Sequence, residues 1–137
     1  MDAFVWPVRV YYEDTDAGGL VYHANYLKFM ERARTEWLRS LGFEQNALIR
    51  ELAVMFAVRA MQIDFLKPAH FDDALEIVTR VDACRGASLL FAQSVVRSGR
   101  EPELLCRAQV KVACLDARTL RPRPIPDKIK LEISDVG

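Results

Sequence analysis

The sequence predicts an α+β domain in which one long helix is covered by a curved antiparallel sheet of about five strands. Three observations carry that expectation. A strong helical apolar period begins near Tyr26, two-residue alternation fills much of the remaining chain, and the later alternating runs are joined by short turns. The 137 residues, 51% of them hydrophobic, can bury a core without disulfides or metal, and residues 1–137 are read as that one domain.

The first strand is predicted at Trp6-Pro7-Val8-Arg9-Val10-Tyr11-Tyr12, where side chains alternate and strand formers dominate. Tyr12 to Tyr26 then holds Glu13, Asp14, Asp16, a Gly18-Gly19 pair and His23, and reads as a loop feeding a helix N-terminus. From Tyr26, the apolar residues Phe29, Met30, Ala33, Trp37, Leu38 and Leu41 recur at three- and four-residue spacing, and Gly42 is placed to end the helix. Phe43 to Glu51 suggests a short helix or turn.

Alternation resumes at Val54 and predicts a strand running to Lys67-Pro68. Three further strands are predicted from Ala74 to Ala83, Ser88 to Val96 and Leu104 to Leu115, joined by turns at Arg85-Gly86 and Ser98 to Pro102. From about residue 121, Pro122, Pro124 and Pro126 remove alternate N–H donors, so this stretch is predicted to leave as an extended surface tail. Such a sheet has two edges, which are commonly managed by pairing with another copy.

Composition narrows the function classes. Nineteen basic and nineteen acidic residues cancel, which gives no electrostatic case for nucleic acid. A local excess of positive charge in residues 97–130 reads as scattered solvated charge or as a surface for a small polyanion. Cys84, Cys106 and Cys114 form no CxxC pair, and with His23 and His70 far apart no metal site is expected. No run of eighteen apolar residues exists, and Met1-Asp2-Ala3-Phe4 does not open a signal peptide. The expectation is a cytoplasmic protein without membrane insertion.

The block Arg9-Val10-Tyr11-Tyr12-Glu13-Asp14-Thr15-Asp16-Ala17-Gly18-Gly19-Leu20-Val21-Tyr22-His23-Ala24-Asn25-Tyr26, followed by Glu31-Arg32-Ala33-Arg34, resembles the signature of the 4-hydroxybenzoyl-CoA thioesterase family of hotdog-fold proteins. Within that family it is most similar to the bacterial acyl-CoA thioesterases associated with the Tol-Pal system. The likeness runs through Lys67-Pro68 and Arg85-Gly86 to the proline-rich tail. It implies a hotdog fold, an acyl-CoA substrate, no cofactor, and a homo-oligomer, either a dimer joined edge to edge or a dimer of dimers, with active sites at the subunit interface. By position, Asp16 matches the catalytic carboxylate, His23 the accompanying histidine, and the His23 N–H the group that polarises the thioester carbonyl. Gly18, Gly19 and Tyr22 are assigned to substrate binding.

The residues fit that chemistry. Thioester hydrolysis needs a nucleophile or an activated water and a place for the charge that develops on the carbonyl oxygen. The leaving thiolate, with a conjugate-acid pKa of roughly 8.5, needs little help. Asp16 suits either general-base or nucleophilic attack, and the sequence does not choose between them. A helix start supplies unpaired N–H groups for the oxyanion. Gly18 and Gly19 allow close backbone approach or simply make a turn. Asp14 reads as a loop-holding residue, His70 as a solvated one, and Glu31 with Arg34 as an i,i+3 helix pair or an interface pair.

Two other classes compete. One is a hotdog enoyl-CoA hydratase or dehydratase, which also uses Asp and His. The other is a non-catalytic module that binds acyl-CoA or acyl carrier protein. Arg59, Lys67, Arg85 and the basic segment are available to CoA phosphates, and linear position does not select among them.

Overall fold

A computed structural model describes residues 3–136. Met1 and Asp2, on which the leader reading partly rests, lie outside that range. The elements in order are β1 (Phe4–Arg9), α1 (His23–Ser40), α2 (Gln45–Leu52), β2 (Val54–Phe65), β3 (Ala74–Arg85), β4 (Ser88–Arg97), β5 (Glu103–Asp116) and α3 (Asp127–Val136). The five strands form one antiparallel sheet in the order β1-β3-β4-β5-β2. The sequential β3-β4-β5 run is the expected meander, and β2 and β1 are its two edges.

The sheet curves around α1, as a hotdog fold requires. Register shifts interrupt the ladders at Val58/Ala60, Val81/Ala83 and Val95/Val96. An extra residue on one strand bends it and increases its twist. Helix α1 buries the stripe Tyr26, Phe29, Met30, Ala33, Trp37 and Leu38. Alternate residues of the sheet meet it, including Leu75 and Ile77 of β3, Leu89 and Phe91 of β4, and Val110 and Val112 of β5. The Trp37 and Phe91 rings meet edge to face at 5.1 Å. Gly42 follows the helix at φ +95°, a left-handed conformation that glycine adopts without a Cβ clash.

Two expectations are corrected. The first strand stops at Arg9 rather than Tyr12, because Tyr12–Asp14 turns as one 3-10 segment and the Asp14 carboxylate accepts the Tyr11 N–H at 2.8 Å. The proline-rich segment does not remain an extended surface tail. Residues 121–126 form no helix or strand and are bridged to β5 at Pro122, and Ile125 is buried with its N–H donating to the Gly86 carbonyl at 3.0 Å. Beyond Pro126 the chain turns into α3, which buries Ile129 and Ile133. Isoleucines at four-residue spacing make one apolar stripe, and its burial outweighs the extended preference of the prolines before it.

The cysteines pack in the protein. Cys106 and Cys114 are buried and Cys84 is half-buried, all three as free thiols. Burial, with the Asp64 charge adding to it, pushes the Cys106 thiol up to about 12 from an ordinary 9.0. A folded pKa above the unfolded one contributes stability that is full below about pH 9 and is lost as pH rises towards about 12, by up to ~1.4 kcal/mol per pH unit for one thiol. Urea unfolding free energy is therefore expected to fall from pH 8 to pH 10, and less steeply in Cys106→Ala. Equal slopes for the two proteins would refute the assignment.

Candidate active site

The stretch from Tyr11 to Tyr26 doubles back on itself. Thr15 and Val21 form an antiparallel bridge, the Asp16 N–H donates to the Leu20 carbonyl at 2.8 Å, and the Gly19 N–H donates to the Asp16 carbonyl at 3.0 Å. This tight turn pairs Asp16 with Leu20 and Asp14 with Tyr22, the residue before α1. Gly19 sits at φ +79°, which a side chain would strain. Gly18 serves differently: its N–H donates to Asp16 Oδ1 at 2.9 Å, and a Cβ there would stand 3.4 Å from that oxygen. The Leu20 N–H also approaches Oδ1, at 3.4 Å.

Asp16 is exposed, with one carboxylate oxygen held by backbone N–H groups and no protein donor on Oδ2 among the described residues. Tyr22 precedes the helix with extended dihedrals and no side chain caps it. The Asn25 N–H donates to Tyr22 O at 2.9 Å, while the His23 and Ala24 N–H groups have no acceptor among the described residues. They stand at the positive end of the helix dipole, where a developing oxyanion is stabilised.

His23 is exposed at that first helical position. Its ring lies 4.5 Å from the Tyr22 ring and edge-on to Phe65 at 6.1 Å. No hydrogen bond joins Asp16 to His23 among the described residues; Asp16 lies in the turn and His23 at the start of α1. Tyr22 is half exposed beside His23. All five predicted residues, Asp16, Gly18, Gly19, Tyr22 and His23, thus lie on one turn and its helix start.

Residues 10–133 match the thioesterase-like superfamily. The chain belongs to that family. It is 52% identical over 129 residues to the acyl-CoA thioester hydrolase YbgC of Escherichia coli O157:H7, with 94% of each chain covered. The solved structure of a probable thioesterase from Bartonella henselae superposes with TM-score 0.84 at 36% identity, over 90% of this chain and 99% of that one. A 4-hydroxybenzoyl CoA thioesterase variant bound to 4-hydroxybenzoyl CoA superposes with TM-score 0.88, over 96% of this chain and 99% of that one. Its 22% identity makes that likeness one of fold.

In this thioesterase-like chain some positioning groups escape a linear reading. Asn25 is buried, and its Nδ2 donates to the Asp14 carbonyl at 2.8 Å, which also accepts the Tyr22 N–H at 2.9 Å. One carbonyl thereby ties the acidic loop to the helix start. The signal was available: Asn25 lies on the stripe of Phe29 and Ala33, and a polar residue on a buried face needs a partner. Asp14 holds the loop as expected.

Of the two readings of Glu31 with Arg34, the helix ion pair is not met. No Glu31–Arg34 ion pair forms among the described residues; Arg34 Nη1 instead donates to Gln93 Oε1 at 2.9 Å, while Gln93 Nε2 donates to the Met30 carbonyl and to Thr79 Oγ1. Burial lowers the Arg34 pKa from its ordinary value, and the Glu31 charge partly offsets this. Several basic residues offered above to CoA phosphates are engaged: Lys67 with Glu103, Arg107 with Asp64, and Arg123 with Asp116.

Proposed function

We infer that this protein hydrolyses acyl-CoA thioesters to a free acid and CoA, with Asp16 as base or nucleophile and the His23 N–H leading the oxyanion site. The observation that carries the reading is the turn itself. It holds one Asp16 oxygen with backbone donors, leaves the other open, and delivers the chain directly into an uncapped helix start. The relative named an acyl-CoA thioester hydrolase, at 52% identity, supports the same chemistry. Gly18, Gly19 and Tyr22 bring backbone and an aromatic wall to the thioester, and the His23 imidazole orients substrate or protonates the thiolate.

A cavity of about 120 Å³ gives the acyl group apolar walls. It lies between the second half of α1 and the sheet, with Trp37, Phe56, Leu89 and Phe91 among its lining. Its size approaches the ~150 Å³ that accepts benzene in an apolar core. The lining begins at Glu31, about 12 Å along the helix from His23 at 1.5 Å per residue. The intervening α1 residues Tyr26, Phe29 and Met30 are packed in the core, so the cavity is not continuous with the same chain's turn. It includes Phe56 and Val58 of β2, the edge strand. A second copy paired along that edge offers its Asp16 turn to the cavity, which fits a cytoplasmic homodimer or dimer of dimers. Acyl carrier protein and a Tol-Pal association belong to this same proposal.

The test is thiol release from a panel of acyl-CoAs of increasing chain length, with an aromatic acyl-CoA included. Saturable release from at least one member is expected. Absence of thiol release together with loss of enoyl-CoA absorbance would make the protein a hydratase, and binding without either reaction would make it a carrier module.

A further inference from the structure

The segment Leu66 to Asp73 contains none of the catalytic candidates, yet it is the strap on which the Asp16 turn rests. The Ala69 carbonyl accepts the Val21 N–H at 2.9 Å, and the Ala69 N–H donates to the Tyr26 hydroxyl at 3.0 Å. The next residue, His70, is bridged to Leu20, whose carbonyl accepts the Asp16 N–H. Two adjacent residues therefore set both the turn and the first turn of α1.

Besides Tyr26, and Arg9, whose Nη1 donates to the Asp72 carbonyl at 2.8 Å, one side chain makes several contacts with this strap from outside it. Arg97, the last residue of β4, directs its guanidinium at three groups: Nη2 to the Pro68 carbonyl at 2.6 Å, Nε to Asp73 Oδ2 at 3.0 Å, and Nη1 to Glu103 Oε2 at 3.1 Å. Nη2 also stands 3.4 Å from His70 Nδ1. Asp73 Oδ2 accepts the His70 N–H as well, so the fork and the strap share a carboxylate. Burial opposes ionisation of Asp73, but the His70 N–H and Arg97 outweigh it and hold the carboxyl below its ordinary value. The Arg97 side chain is 26% exposed, against 61% for Arg107 in its pair with Asp64. Shielding from water strengthens such contacts, and the planar fork meets several acceptors that one ammonium cannot.

We propose that Arg97 is a positioning residue for the reaction, acting through Pro68 to Asp73 to hold the Asp16 turn in place. The proposal rests on the catalytic assignment of Asp16 and His23 above. A small displacement of reacting groups is costly, since about 1 Å of misplacement lowers rates by on the order of 10²-fold.

The experiment is acyl-CoA thiol release by Arg97→Met, Arg97→Lys and the surface control Arg80→Gln, an exposed arginine paired with Asp82, each checked for folding by thermal melt. In Arg97→Met, kcat is expected to fall ~30- to 100-fold while KM changes less than ~3-fold. Arg97→Lys should recover part of that loss, and Arg80→Gln should stay within ~2-fold of wild type. A residue that acts through Asp16 has little left to remove once Asp16 is gone, so Arg97→Met in an Asp16→Asn background should cost no more than ~2-fold further. Independent, multiplying losses would overturn the proposal, as would a folded Arg97→Met with wild-type kcat. If Arg97→Met does not fold, Arg97→Lys and Asp73→Asn are judged by the same two criteria. Lost turnover in Asp16→Asn with intact turnover in the Arg97 variants overturns positioning alone; full turnover in Asp16→Asn overturns the catalytic assignment and positioning with it.

Discussion

Asp16→Asn is expected to lower kcat by ~10²–10⁴, the range set by loss of a positioned acid–base group, while acyl-CoA still binds. The substitution isolates the chemistry because it keeps the shape. An amide oxygen can still accept the Gly18 N–H now held at 2.9 Å, so the turn persists. What disappears is the charge on the free oxygen: a carboxamide neither takes a proton from water nor attacks a carbonyl at neutral pH. The amide N–H groups of His23 and Ala24 remain, so a residual rate above the uncatalysed one is expected from the oxyanion site. Steady-state thiol release paired with equilibrium binding of a non-hydrolysable acyl-CoA ether checks both halves. A variant that turns over within ~3-fold of wild type would remove Asp16 from the mechanism.

Phe29→Ala is expected to destabilise the fold by about 3–5 kcal/mol, the range for deleting a buried aromatic ring. Phe29 is 1% exposed at the middle of the α1 stripe, and its ring meets Tyr26 edge to face at 6.3 Å. Its neighbours Met30 and Ala33 are buried on the same stripe, and the sheet is tied together by strand pairing, so the space has little freedom to collapse. Chemical denaturation at fixed protein concentration measures the loss, the concentration being held because association shifts apparent stability. A loss below ~1 kcal/mol would mean that α1 is not the centre of the core.

The helix was legible because its period is long and undivided, and the strands because alternation is broken only at bulges. Strand order was not legible. Nothing local in Val54 to Phe65 says that it pairs with β5 rather than with β1, since pairing between distant segments is decided by the whole core. The α3 error has a physical source: Pro122, Pro124 and Pro126 dictate local backbone, whereas Ile125, Ile129 and Ile133 act only through the surface they find. The same distinction governs the site. Asp16, Gly18, Gly19, Tyr22 and His23 fall within one short stretch and were visible together, and the turn offered for the glycines is seen with Gly19 in a left-handed conformation. Arg97 and Ala69 act on them through folding alone. Val21 donates to the Ala69 carbonyl and Leu20 is bridged to His70, and no spacing rule in the sequence announces those contacts.

The cavity beneath α1 and the turn proposed to be catalytic draw on separate sets of residues. None of the cavity lining, from Glu31 to Val112, belongs to the turn at 11–26 or to the strap at 66–73. In the proposed reaction the two can therefore be varied separately: exchanging Val58 or Leu89 for a larger or smaller side chain is expected to alter the room for an acyl group while leaving the Asp16 turn in place. The same separation tells an engineer where to vary the sequence and where to leave it alone.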